Sequence, residues 1–463
     1  MLKMMFAAPS SDSGKTSVTC GMLSLLAEMG LDPVSFKCGP DYIDPMFHRS
    51  VLGVSSHNID LFMCEKERAK EMAERYMKGH GAAVFEGVMG YYDGVSGKDL
   101  KASACDVAET LDVPVILVVR PKGSALTLAA VIKGMAEFRK PTKIKGVILN
   151  DCQEMIYKAF RDVYEGESGI PVLGYIPHIE GAEFKSRHLG LYTAGEIDDI
   201  RERIGKIRDA MKKGIDMDRL AEVIGEDKEN DEKAPAEDIA EDQTGALGDD
   251  RPVIAVARDE AFSFIYEETL DTLEDHGAKI KEFSPVHDEK IPEDAGALYI
   301  PGGYPELYAE ALSKNASMLA SVKEAAGSGM PLIAECGGFL YLGEKLTDSS
   351  GKTWDMAGVL PGTSRNGGRL MRFGYSYLTS DKDNMLIKKG EKIPVHEFHY
   401  WDSTDNGKDL VSIKAGSERS FECGFAGDTM YAGFPHLYMA GYPEAAERFI
   451  EQAKQYRTKR KGL

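Results

Sequence analysis

The chain has 463 residues, 43% apolar and 28% charged, which excludes a disordered, collagen-like or small disulfide-stapled protein and leaves room for two or three domains. Its 56 Lys and Arg against 75 Asp and Glu leave a formal net charge of −19. That balance argues against nucleic acid or an acidic membrane surface as the partner, while a small anion can still be held by local positive charge.

The first element in the chain is an apolar strand at 3–8, followed by Ala8-Pro9-Ser10-Ser11-Asp12-Ser13-Gly14-Lys15-Thr16 and a helix at 15–28. A strand, a small-residue loop ending in Gly-Lys-Thr and a helix form the setting of a phosphate loop, in which backbone N–H groups cradle phosphate oxygens. Ser13, Gly14, Lys15 and Thr16 are the expected nucleotide-binding residues; Lys15 brings mobile positive charge and Thr16 a hydroxyl for magnesium. Pro9 stands where the motif has its first glycine. The start of the chain is too short in apolar residues for a signal peptide and runs straight into this motif.

Further apolar runs at 33–37, 82–86, 114–119, 144–149 and 171–175 alternate with amphipathic stretches at 65–78, 124–138 and 193–212. Strands apolar throughout, alternating with helices, predict a parallel sheet covered on both faces. Three acidic loops follow strand ends. Lys37-Cys38-Gly39-Pro40-Asp41-Tyr42-Ile43-Asp44 offers Lys37 for phosphate charge and Asp44 or Asp41 to hold metal or position substrate; Glu86 closes its strand where a metal site wants an acidic ligand; and Gly90-Tyr91-Tyr92-Asp93-Gly94 adds a third acidic loop. Ligands gather at such strand ends in open α/β sheets. No apolar run reaches the length of a membrane span; the longest continuous one is 113–119.

Residues 226–250 hold eleven Asp and Glu and two Lys, nearly half of the net negative charge, and almost no bulky apolar side chain. This composition reads as a solvated linker between a domain at 1–225 and a second at 251–463. After it the α/β pattern resumes, and from 354 to 434 Gly, Tyr and alternating patterns predict mixed or antiparallel strands before a closing helix at 443–457. The seven cysteines are scattered and form no C-x-x-C pair, as expected of reduced thiols in a cytoplasmic protein.

One cysteine stands apart. Pro331-Leu332-Ile333-Ala334-Glu335-Cys336-Gly337-Gly338 is an apolar strand, a thiol and small residues opening a helix, the pattern of a sharp turn that presents a nucleophile. His436, in Phe434-Pro435-His436-Leu437-Tyr438, is the preferred proton carrier and His399 its competitor. Gly302 and Gly303, in Tyr299-Ile300-Pro301-Gly302-Gly303-Tyr304-Pro305-Glu306, offer backbone N–H groups to an oxyanion.

Taken together, the thiol turn, the Pro-Gly-Gly-Tyr-Pro-Glu loop and the late histidine resemble a class I glutamine amidotransferase domain of the cobyrinic/cobyric acid synthase family. The amino-terminal half resembles the dethiobiotin-synthetase-like ATPase domain of the same family, carried by the 37–45 and 86–94 segments and by Arg187-His188-Leu189-Gly190-Leu191. The likeness covers nearly the whole chain outside the acidic stretch. It implies an α/β protein, a P-loop parallel-sheet domain followed by an amidotransferase α/β domain. The implied enzyme is an ATP- and magnesium-dependent ligase that takes ammonia from glutamine and amidates the a and c carboxylates of cobyrinic acid in cobalamin biosynthesis. Thr16, Glu86 and Asp44 are implied as the magnesium ligands, Asp41, Asp93 and the 187–188 segment as acceptor contacts, and a homo-oligomer is compatible with the family. Class I triads carry a glutamate two residues after the histidine; here Tyr438 takes that place, and the third member stays open. Nickel sirohydrochlorin is the alternative acceptor, and a P-loop switch ATPase with an inactive amidotransferase-like module is the alternative of a different class.

Overall fold

A computed structural model describes residues 1–180, 194–225 and 251–462. The 187–191 segment and the acidic stretch at 226–250 lie outside the described residues. The chain divides into two compact units, Met1–Ala236 and Glu237–Leu463.

The first unit is built on seven parallel strands: β1 (Leu2–Ala7), β2 (Pro33–Cys38), β3 (Ser56–Ile59), β4 (Ala82–Glu86), β5 (Val115–Val119), β6 (Ile144–Asn150) and β7 (Val172–Ile176). Their order is β3-β2-β4-β1-β5-β6-β7. Every residue of β2, β4 and β5 is buried, as strands covered on both faces must be, and each fully buried Val, Leu or Ile contributes roughly 1.5–3 kcal/mol. The helix Lys15–Glu28 ends at Gly30, whose φ of 77° lets its N–H reach the Ala27 carbonyl while Leu31 reaches Leu26.

β3 is absent from the sequence reading, for a physical reason. Ser-His-Asn-Ile has no apolar run, yet all four residues are buried and pair with β2, since hydrogen bonds take the place that apolar contact fills elsewhere. The helices Ala104–Thr110, Glu154–Ser168 and Met217–Ile224 were also not anticipated.

The second unit has a six-stranded sheet ordered Lys279–Phe283, Val253–Ala257, Ala295–Ile300, Leu332–Glu335, Met430–Gly433, Phe425–Ala426, parallel but for the last strand. The stretch 262–276 splits into a short strand, Phe262–Phe264, and a helix, Glu267–Asp275. Between 345 and 423 two further four-stranded sheets form, one of them wholly antiparallel over Arg372–Thr379, Lys392–His399, Leu410–Lys414 and Ser420–Cys423. The chain closes with the helix Pro443–Lys461. No helix among the described residues is long and apolar enough to cross a membrane, and all seven cysteines are free and buried.

Candidate functional site

Cys336 follows the strand Leu332–Glu335 directly and caps the helix Gly337–Leu342. Its φ of 45° and ψ of −101° lie in a region non-glycine residues rarely occupy, so the thiol is held out of the strand's line by a strained turn. The strain is fixed by close packing: a Cβ on Gly338 would stand 2.1 Å from the Ile300 carbonyl oxygen, and one on Gly337 would stand 2.9 Å from the Gly303 nitrogen. The glycines of the 302–303 loop are therefore pressed against the turn. A Cβ on Gly302 would stand 2.5 Å from Cε1 of His436.

His436 is 3% exposed and hydrogen-bonded to the Cys336 thiol. Its Nδ1 lies 3.3 Å from Oε2 of Glu335, the residue immediately before the thiol. Glu335 is itself pinned: Tyr299 Oη donates to Oε1 at 2.8 Å and the Leu437 N–H donates to the same oxygen at 3.1 Å. Burial disfavours a charged imidazole, but the thiol and the carboxylate outweigh it and raise His436 to about 10. Carboxylate, imidazole and thiol thus form one connected relay, and Glu335 occupies the place left open by Tyr438. The sequence signal was present, a glutamate closing an apolar strand one residue before the nucleophile, but register across the sheet was needed to read it.

His399 is not at the thiol. Its ring stacks on Phe434 at 3.7 Å and 2°, and its Nδ1 lies 2.6 Å from the Trp401 carbonyl.

In the first unit, the phosphate-loop residues open a cleft of about 650 Å³ lined by Gly14, Lys15, Thr16, Lys37, Asp41, Asp44 and Glu86. Gly14 takes a φ of 86°, and a Cβ there would stand 2.2 Å from Asn150 Nδ2, which donates to the Ser13 carbonyl at 3.0 Å. Only glycine satisfies both demands. Ser13 Oγ donates back to the Ser10 carbonyl, closing the loop on itself although Pro9 replaces its first glycine. Lys15 Nζ reaches the Ser10 and Met89 carbonyls at 3.2 and 2.7 Å, and burial, with the nearby Lys37, lowers its pKa.

Thr16 Oγ1 donates to Glu86 Oε1 at 2.7 Å, and Lys37 donates to the same oxygen at 2.8 Å and to Asp44. Burial alone would discharge Lys37, but Asp44, Glu86 and Asp41 hold its pKa well above the ordinary value. Glu86 is raised to about 7, by burial first and then by Asp44. Asp41 lies 4.0 Å from Lys37 and accepts the N–H groups of Ile43 and Asp44, while Asn58 of β3 donates to the Gly39 and Asp41 carbonyls and so fixes that loop. Asn58 and Asn150 were missed by sequence reasoning, since a lone asparagine carries no motif.

The magnesium expected here finds a fitting donor set. Oε2 of Glu86 is buried without a hydrogen-bond partner, and Thr16 and Asp44 add hard oxygens nearby. Among the described residues no cluster of three His, Cys, Asp or Glu side chains forms a ready-made cage. That suits a cation held by one or two carboxylates together with substrate phosphates. Asp93 is exposed and accepts the Gly90 N–H at 3.0 Å; it is not among the residues lining the cleft, but its charge acts on Lys15 and favours the ammonium.

Two family models match the chain. One, described as CobQ/CobB/MinD/ParA nucleotide binding domain, covers residues 4–191, and the other, CobB/CobQ-like glutamine amidotransferase domain, covers 253–442. Cobyrinate a,c-diamide synthase from Caldanaerobacter subterraneus subsp. tengcongensis is 36% identical over 98% of both chains. The protein of that name from Clostridium tetani is 37% identical over 98% of this chain and 100% of its own, and that from Picrophilus torridus 36% over 96% and 98%. With a thiol relay in one unit, a phosphate cleft in the other and end-to-end likeness to these relatives, the chain belongs to the cobyrinate a,c-diamide synthase family of glutamine-dependent amidoligases.

Proposed function

We propose that this enzyme amidates the a and c acetate side chains of cobyrinic acid, with residues 251–463 releasing ammonia from glutamine and residues 1–225 activating the acceptor with ATP. The observation that carries the reading is the presence of the Cys336–His436–Glu335 relay and the Thr16–Glu86–Lys37–Asp44 cluster in one chain of this family. Cys336 Sγ attacks the side-chain amide carbon of glutamine, and His436, which already holds the thiol's proton as an imidazolium, delivers it to the departing ammonia. The N–H groups of the 302–303 loop face the oxyanion, and water hydrolyses the thioester to glutamate. In the cleft, a carboxylate oxygen of the acceptor attacks the γ-phosphorus of ATP, giving ADP and an acyl phosphate. Lys15 and Lys37 balance the charge of the transferring phosphoryl group. Magnesium, when held by Thr16, Glu86 and Asp44, neutralises phosphate charge. Ammonia then displaces phosphate from the acyl carbon and leaves the amide. Asp41 is assigned to orienting the acceptor.

The test is an amidation assay with Mg-ATP and glutamine, offering cobyrinic acid and nickel sirohydrochlorin in parallel and counting converted carboxylates by mass spectrometry. Two conversions on cobyrinic acid are expected. Preference for the nickel compound, or ATP hydrolysis indifferent to both, overturns the reading.

A further inference from the structure

The cations of the phosphate cleft are unequally engaged. Lys37 is shared among Asp44, Glu86 and Asp41, and the Lys15 ammonium is turned onto two backbone carbonyls. Arg120, one residue past the end of β5, lines the same cleft and is exposed, and among the described residues no carboxylate or carbonyl holds its guanidinium. Its Nη2 lies 3.4 Å from the position a Cβ would take on Gly14, so the guanidinium rests against the turn that delivers the first N–H groups of the helix Lys15–Glu28.

A nucleoside triphosphate entering this cleft meets Asp12, Asp41, Asp44, Glu86 and Asp151 as well as the cations. Those carboxylates repel it, and Lys15 and Lys37 are already bonded; of the two further cations that line the cleft, Arg120 and Lys122, it is Arg120 that lies against the Gly14 turn. What the site still needs is an uncommitted donor of positive charge beside the phosphate-binding turn. A planar guanidinium presents two parallel N–H groups that match two phosphate oxygens, and it stays charged at any working pH.

We propose that Arg120 is a phosphate-binding residue that clasps the polyphosphate chain of the nucleotide from within the same chain. The proposal rests on the ATP-dependent reading above and adds to it a residue outside the Gly-Lys-Thr motif. Because Arg120 is exposed and has no ion-pair or hydrogen-bond partner among the described residues, its replacement leaves the fold unstrained.

The experiment is direct titration of Mg-ATP into the full-length wild type, Arg120→Ala and Arg120→Lys, paired with steady-state KM values for ATP and for cobyrinic acid. The alanine variant should bind ATP about tenfold or more weakly, as loss of a charge-assisted bidentate contact implies, and the lysine variant should recover part of that loss. The KM for the acceptor and the glutaminase rate should stay at the wild-type level. Equal ATP affinity in wild type and Arg120→Ala, or a rise confined to the acceptor KM, overturns the proposal. Wild-type protein that fails to bind Mg-ATP removes the ATP-dependent reading itself, and this inference with it.

Discussion

In the second unit the reacting groups are buried and bonded to one another: Glu335 is 1% exposed, His436 3%, Cys336 8%, and each side chain is fixed by a neighbour or by its turn. In the first unit the groups line an open cleft and crowd like with unlike. Three carboxylates surround one lysine, and a carboxylate oxygen is buried with nothing bonded to it. The difference follows from what each site receives. A thiol that attacks a neutral amide needs its proton path complete before substrate arrives, whereas a site for a triphosphate and a cation must keep charges that only the incoming groups balance.

This contrast sets the expected sizes of effect. The largest belongs to Lys15, whose ammonium no other residue of the motif replaces: Lys15→Ala should lower amidation about 10³-fold with either glutamine or free ammonia, while glutamine hydrolysis by the other unit continues. A parallel loss of glutaminase activity would break the separation of the two sites. Glu335→Gln comes next. It keeps the shape but removes the charge that holds the imidazolium, so glutaminase turnover should fall on the order of 10²-fold. The wild-type imidazole keeps its proton up to about pH 10; without the carboxylate its pKa drops, and the alkaline limb of the rate profile should move to lower pH. An unmoved limb would take Glu335 out of the relay. The smallest effect is at His399, where exchange for Gln should change either activity less than about twofold and cost about 1–3 kcal/mol of stability, read by denaturant unfolding, through the lost Trp401 bond and Phe434 stacking.

The two regions also differed in how far the sequence disclosed them. Both sheets were legible because apolar runs such as Val115–Val119 and Val253–Ala257 are buried on both faces, and Gly-Lys-Thr and Glu-Cys-Gly-Gly marked the two strand-to-helix turns. β3 was not, since its polar residues are buried by hydrogen bonds that periodicity does not register. Glu335 was hidden for a different reason. Its partner is 101 positions away, and parallel pairing of Leu332–Glu335 with Met430–Gly433 brings the two strand ends together. Asn58, Asn150 and Arg120 likewise reach their places through sheet order, β3 beside β2 and β1 beside β5 beside β6, which no local pattern carries.

In the proposed division of labour one unit makes ammonia and the other spends ATP to use it. Cys336→Ala, supplied with cobyrinic acid and Mg-ATP and given either glutamine or ammonium, tests it most directly by counting amides formed. No amidation from glutamine and near-wild-type amidation from ammonium are expected. Loss of both, in a variant whose circular dichroism and melting match the parent, would contradict it.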